Sequence, residues 1–236
     1  MELTAAFAVP IGHTRLESCD RLNRELEQLF LARETQEYRN PTPSHNPQAE
    51  MFESRVDLFT WPEPCIQELR NFMLEAVFRF AMAASETARE EFARLNLNNH
   101  TWFHITRPTG YFVAHNHALA SWSAVYCVKD GADPAGAPSG GLLRLFDTRA
   151  GADAFLDPGN QRLRPPFLVS DLDVQLQAGQ LVVFPSYLFH EVTPYYGPDT
   201  RITVATNCWF TAHLPLPKPS NDIRGASYGR AANDHN

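Results

Sequence analysis

His115 and His117 stand one residue apart in the run from Gly110 to His117. If that run is a strand, both imidazoles point to one face, because side chains alternate along extended backbone. A third histidine, His190, follows the run Gly179 to Pro185, which reads as the start of another strand. Two ligands from one strand and a third from a distant strand across a barrel give a facial set. Such a set leaves adjacent positions on a bound metal open for a co-substrate and dioxygen. Imidazole suits Fe(II), Ni(II), Cu(II) and Zn(II) alike, so the ligands alone do not name the metal. The bland reading is that these are core or surface histidines, since a short H-x-H pair often binds nothing.

Arg201 opens the segment Arg201-Ile-Thr-Val-Ala-Thr-Asn-Cys-Trp209. With a period of two, Arg201, Thr203, Ala205, Asn207 and Trp209 share one face, and Ile202 and Val204 take the other. A guanidinium is a planar fork of donors that matches a carboxylate. A small dicarboxylic acid could therefore chelate the metal at one end and meet Arg201 at the other. The alternative is an internal pair with Asp199 or another acid at the strand end.

These residues need a scaffold, and the chain divides into two kinds of pattern. Residues 14–33 read as an amphipathic helix, opened by a Thr14/Glu17 capping box and striped by Leu16, Cys19, Leu22, Leu26, Leu29 and Phe30. Residues 35–50 are polar and suggest an extended connection. Pro62 and Pro64 sit where prolines begin helices, and Ile66, Leu69, Phe72, Met73, Ala76 and Phe80 form the buried stripe of a second. A helical continuation covers 86–95. From about residue 99 short runs rich in Val, Tyr, Phe, Thr and Trp alternate with Gly/Pro/Asp clusters. Strands are expected near 100–106, 110–117, 121–129, 141–147, 172–177, 180–184, 188–193 and 201–210. That makes a mainly β fold with N-terminal helices, a jelly roll of two packed sheets. The expected organisation is a helical region over 1–98 packing on a β core over 99–212, followed by a polar tail over 213–236, all within a single domain. The segments 130–140 and 148–170 are loops, the second a candidate substrate wall.

The stretches Gly110 to His117, Ser121 to Cys127, Gly140 to Asp147, Gly179 to His190 and Arg201 to Asn207, taken in order, resemble the 2-oxoglutarate/Fe(II)-dependent oxygenases. Their nearest likeness is the branch with a histidine pair, a following "SGVYY"-like strand and a "G-x-L-x-x-FPS-x-x-x-H" strand. The resemblance spans roughly 99–210. It implies a double-stranded β-helix, iron bound by His115 and His190, and 2-oxoglutarate held through its carboxylate by Arg201 with help from Thr203. It makes Tyr126 a further contact to the co-substrate and has Asn207 and Trp209 line the same interior. It implies oxidative decarboxylation of 2-oxoglutarate to succinate, coupled to attack on an unactivated C–H bond. The chain departs from the wider superfamily at His117, where a carboxylate is usual. An imidazole there raises the charge of the iron centre by one unit and fills the space a halide would need, which disfavours halogenation. Glu191 and Asp147 are spare carboxylates; Glu191 should face away from His190.

A cupin-type three-histidine dioxygenase or isomerase is the main rival, because the H-x-H pair and the Gly179–His190 strand partly fit its motifs. The glutamate expected after the pair is absent, with Ala120 and Ser121 in its region, and Arg201 would have no purpose. A non-enzymatic metal- or ligand-binding barrel is the second rival.

Composition narrows the partners. A net charge of −7 and the lack of any Lys/Arg run argue against nucleic acid or an anionic membrane. The four cysteines have no C-x-x-C spacing and read as reduced core thiols. Neither a secretory signal nor a long apolar span is seen, so the expected compartment is the cytoplasm. The expected partners are dioxygen and a small-molecule substrate. Arg144, Arg149, Arg162 and Arg164 near the mouth would permit an anionic one.

Overall fold

The computed structural model describes residues 3, 5–43 and 50–212. Strand β1 (Gly12–Arg15), helix α1 (Asp20–Ala32), strand β2 (Met51–Glu53), a 3-10 turn (Leu58–Thr60), helix α2 (Pro64–Ala83) and helix α3 (Arg89–Phe92) come first. Then follow β3 (Asn96–Thr106), β4 (Phe112–His115), β5 (Trp122–Lys129), β6 (Leu143–Leu145), β7 (Leu172–Val174), β8 (Gln180–Pro185), β9 (His190–Val192) and β10 (Arg201–Thr211). They form a six-stranded sheet in the order β1-β8-β5-β10-β3-β2 and a four-stranded sheet in the order β4-β9-β6-β7. Neighbours in both sheets are antiparallel. This is the jelly roll that the strand pattern calls for.

Strand alternation gives the six-stranded sheet two different faces. Ile202, Val204 and Cys208 of β10 and Ala124, Tyr126 and Val128 of β5 point to the helices. There they join Leu22, Leu26 and Phe30 of α1 with Ile66, Leu69, Met73 and Val77 of α2 in one buried cluster. Each Val, Leu, Ile, Phe or Met side chain among them contributes about 1.5–3 kcal/mol on leaving water, which is what fastens the helices to the sheet. Phe30 stacks on Phe103 of β3 with ring centroids 4.2 Å apart. The opposite face meets the small sheet across a second cluster built on Cys127, Leu143, Leu145, Val182, Phe184 and Leu188. Beside that cluster the inter-sheet space opens into a cavity lined by both polar and apolar side chains.

The N-terminal region carries the expected helices and two strands besides. Residues 12–15 pair with β8, Thr14 lying opposite Leu181, so Thr14 is a strand residue and caps no helix. The chain turns at Ser18, where φ is 55°, and α1 begins only at Asp20. The Leu22–Leu26–Phe30 stripe is independent of that start and is buried as expected. Likewise β2 extends the large sheet beyond β3. Pro64 opens α2 within its first two positions, where a missing N–H costs nothing. The expected helical continuation shortens to one turn at Arg89–Phe92. All four cysteines are free and buried. The polar tail over 213–236, and residues 44–49 of the connection, lie outside the described residues. No helix among the described residues is long and apolar enough to cross a membrane.

Candidate metal and co-substrate site

The expected histidine strand stops at His115, and His117 lies just past its end, tied by its backbone N–H to Ser186 O at 2.9 Å. His190 opens β9 and is the register partner of His115. The third imidazole therefore comes from the adjacent strand of the small sheet, not from across the barrel. The three residues still converge: one nitrogen from each lies within 4.8 Å of the others. Ring centroids are 5.0 Å apart for His115 and His117, 4.3 Å for His115 and His190, and 5.1 Å for His117 and His190.

Backbone carbonyls set two of the tautomers. His115 Nδ1 donates to Val113 O at 2.7 Å, and His190 Nδ1 donates to Leu188 O at 2.9 Å. A carbonyl only accepts, so the proton resides on Nδ1 and the Nε2 lone pair is left for a metal. Burial pushes both imidazoles below their ordinary pKa, His190 to about 3, with the neighbouring His115 adding to its shift. The neutral, ligating form is thus the one the site favours. Glu191 faces away, paired with Arg144 at 3.2 Å, and Asp147 is held by Arg149 at 2.6 Å. Neither carboxylate competes for the histidines.

Across the cavity, Arg201, Thr203, Ala205 and Asn207 of β10 line the wall as the period of two requires. Arg201 is 3 % exposed, and burial lowers its pKa. It nevertheless stays charged, because guanidinium does not deprotonate in proteins. Among the described residues its guanidinium has no hydrogen-bond acceptor and no ion-pair partner. Asp199, the candidate internal partner, pairs instead with Lys129 at 2.6 Å. Asp130, whose field reaches Arg201, accepts from the backbone N–H groups of Ala132 and Ala178. A buried cation without an anion costs several kcal/mol, so the position calls for a carboxylate from outside the protein. Thr203 is 2 % exposed beside it, and Asn207 Oδ1 accepts from Ser123 Oγ at 2.7 Å. Gly141, at a φ of 65°, makes room for the arginine: a Cβ there would sit 3.1 Å from Arg201 Cδ.

Comparison with known proteins fits this architecture. No curated protein matches the chain. A prolyl-4-hydroxylase from Pseudomonas putida superposes with a TM-score of 0.57 at 18% identity, covering 86% of this chain and 93% of its own. AviO1 from Streptomyces viridochromogenes Tue57 gives 0.54 at 15% identity, with 89% and 93% covered. EvdO2 from Micromonospora carbonacea var. aurantiaca, solved with 2-oxoglutarate, gives 0.52 at 13% identity, with 94% and 98% covered. At these identities the likeness establishes the fold. Residues 100–207 match the model of the family described as "Putative 2OG-Fe(II) oxygenase". The chain carries a 2OG-Fe(II) oxygenase domain.

This oxygenase uses Fe(II) and 2-oxoglutarate, and the residues present suit both. Three imidazoles make an acceptable donor set for Fe(II), and the unpaired Arg201 makes an acceptable seat for a carboxylate. Tyr126 does not belong to the set. It is fully buried on the helix side of β5, where its hydroxyl donates to Asn23 Oδ1 at 2.8 Å and its ring packs edge-on to Phe72. Its neighbours Ser123 and Val125 line the cavity, so the expected contact is one residue out of phase. Arg144 and Arg149 spend their charge on Asp173, Glu191 and Asp147, which removes them as receptors for an anionic substrate. Trp102 and His104 of β3 are among the lining residues that went unnoticed in the sequence. The spacing His100-x-Trp102-x-His104 on an expected strand was the available signal.

Proposed function

We propose that His115, His117 and His190 hold the Fe(II), and that Arg201 with Thr203 binds the distal carboxylate of 2-oxoglutarate. On this reading the enzyme hydroxylates, or otherwise oxidises, an unactivated C–H bond of a small-molecule substrate with dioxygen. The observation that carries the reading is the buried, unpartnered guanidinium of Arg201 sharing one cavity with the three imidazoles. A co-acid long enough to reach from one to the other satisfies both. When bound, the iron and 2-oxoglutarate supply the oxidising chemistry, and the co-acid leaves as succinate. The protein's share is positional. Val113 O and Leu188 O fix the imidazole planes. Phe112, Leu143, Phe184 and Val192 keep water from the cavity. EvdO2, of the same fold, was solved with 2-oxoglutarate, which supports the co-acid half of the reading.

The test is an anaerobic titration of 2-oxoglutarate into the Fe(II)-loaded protein, following the visible metal-to-ligand charge-transfer band. The band should appear in the wild type. In Arg201→Ala iron should stay bound while 2-oxoglutarate affinity falls by about 2–5 kcal/mol, at least 30-fold. Iron binding with no band in the wild type would return the site to a cupin-like chemistry without 2-oxoglutarate.

A further inference from the structure

His104 lies directly beside Thr203 in the β3–β10 register and is 7 % exposed. Its ring is fixed by neighbours. Trp102 Nε1 donates to His104 Nε2 at 2.8 Å, and Glu53 Oε2 lies 3.3 Å from the same nitrogen. Asn40 Nδ2 steadies that carboxyl by donating to Glu53 Oε1 at 2.6 Å, and Phe112 covers the ring with centroids 4.3 Å apart. An indole N–H can only donate, so the tautomer with hydrogen on Nε2 is excluded. The neutral ring then carries its hydrogen on Nδ1. Nδ1 is therefore a donor. Among the described residues it has no acceptor, although His104 lines the same cavity as the three imidazoles and Arg201.

The register places this donor along the path from metal to arginine. Glu53, His104, Thr203 and Cys127 form one row across the large sheet. Arg201 and Thr106 form the row two residues further on. Trp102, in the row on the other side, meets His117 with ring centroids 5.9 Å apart. Opposed side chains in an antiparallel pair stand about 4.5–5.5 Å apart at Cβ, so one group lying against Thr203 also lies against His104. A carboxylate offers about four lone-pair sites. A guanidinium fork takes two of them and the Thr203 hydroxyl a third, which leaves one for the donor next to it.

We propose that His104 is a third donor to the distal carboxylate of the co-acid, and that it sets the preference for a 2-oxo diacid over a 2-oxo monoacid. The inference rests on the reading of Arg201 and Thr203 given above. Trp102 is the positioning residue that holds the ring with Nδ1 toward the cavity.

The experiment compares 2-oxoglutarate with 2-oxopentanoate, which keeps the chelating end and chain length but lacks the distal carboxylate. Each is titrated anaerobically into the Fe(II)-loaded wild type, His104→Leu and His104→Asn, and binding is read from the charge-transfer band without turnover. In His104→Leu the affinity for 2-oxoglutarate should fall about 10- to 100-fold, as for a hydrogen bond to a charged group. The affinity for 2-oxopentanoate should not change. His104→Asn keeps an N–H near the Nδ1 position and should recover most of the loss. Equal 2-oxoglutarate affinity in His104→Leu and wild type overturns the proposal. So does equal weakening of both acids, which would mark His104 as structural. Failure of the wild type to bind 2-oxoglutarate would instead strike the parent reading.

Discussion

His190 meets two requirements at once: it is buried among apolar side chains, and it keeps one nitrogen free by donating the other hydrogen to Leu188 O. Removing its ring leaves two imidazoles that cannot form a facial set. In His190→Ala the iron retained after anaerobic gel filtration should drop from near one equivalent to near none, read by metal analysis. Retained stoichiometric iron would sink the site assignment. The convergence of the three histidines and Arg201 on one cavity was legible in the sequence because H-x-H and R-x-T fall on expected strands, where alternate residues share a face. Tyr126 was not, because Ser123-Ala-Val-Tyr-Cys-Val128 is nearly apolar on both faces, and a strand covered on both sides does not display its own phase. Tyr126→Phe should therefore cost about 1–2 kcal/mol of unfolding free energy in urea, through the lost bond to Asn23. The charge-transfer titration should be indifferent to it; weakened 2-oxoglutarate binding would restore Tyr126 to the site.

Among the elements, the loop after β6 shows how a structureless stretch acquires a fixed shape. Asp147 accepts from the backbone N–H of Arg149 at 2.9 Å and of Ser170 at 3.2 Å, so one carboxylate closes both ends. The guanidinium of Arg149 holds that carboxyl down at about 2. A group whose folded pKa is depressed stabilises above its unfolded value, near 3.8, and the contribution fades as pH falls through the folded value. Asp147→Asn should accordingly lower amide-exchange protection at Arg149 and Ser170 at neutral pH. The gap from wild type should close between about pH 4 and pH 2. A gap that persists at pH 2 would mean that charge is not what closes the loop. Element types were readable from period and Gly/Pro punctuation, but their ends were not. Thr14 and Glu17 have the right residues for a capping box, yet pairing with β8 takes Thr14 first, a long-range contact that no local pattern displays.

At the scale of the whole molecule, the large sheet lies between two clusters, one shared with the helices and one with the small sheet. Strand β1 covers the edge of β8 and thereby completes the sheet on that side. Removing residues 1–15 should expose the β8 backbone as an unpaired edge. The expected result is a lower melting temperature, by about 2–4 °C for each kcal/mol lost, together with concentration-dependent association in sedimentation velocity. A monomer with unchanged melting would show that β1 is dispensable.

Strand β10 belongs to both halves of this arrangement, with alternate residues serving different ends. Ile202, Val204 and Cys208 face the helical layer, while Arg201, Thr203, Ala205 and Asn207 face the cavity. Selection on this segment is therefore split by parity. Odd positions can drift with a changing co-acid or substrate while the fold survives, and even positions other than Thr206, which also lines the cavity, can be repacked with the helices while the chemistry survives. A lineage can alter what the cavity accepts without first acquiring spare stability, because the two kinds of change fall on different residues of the same strand.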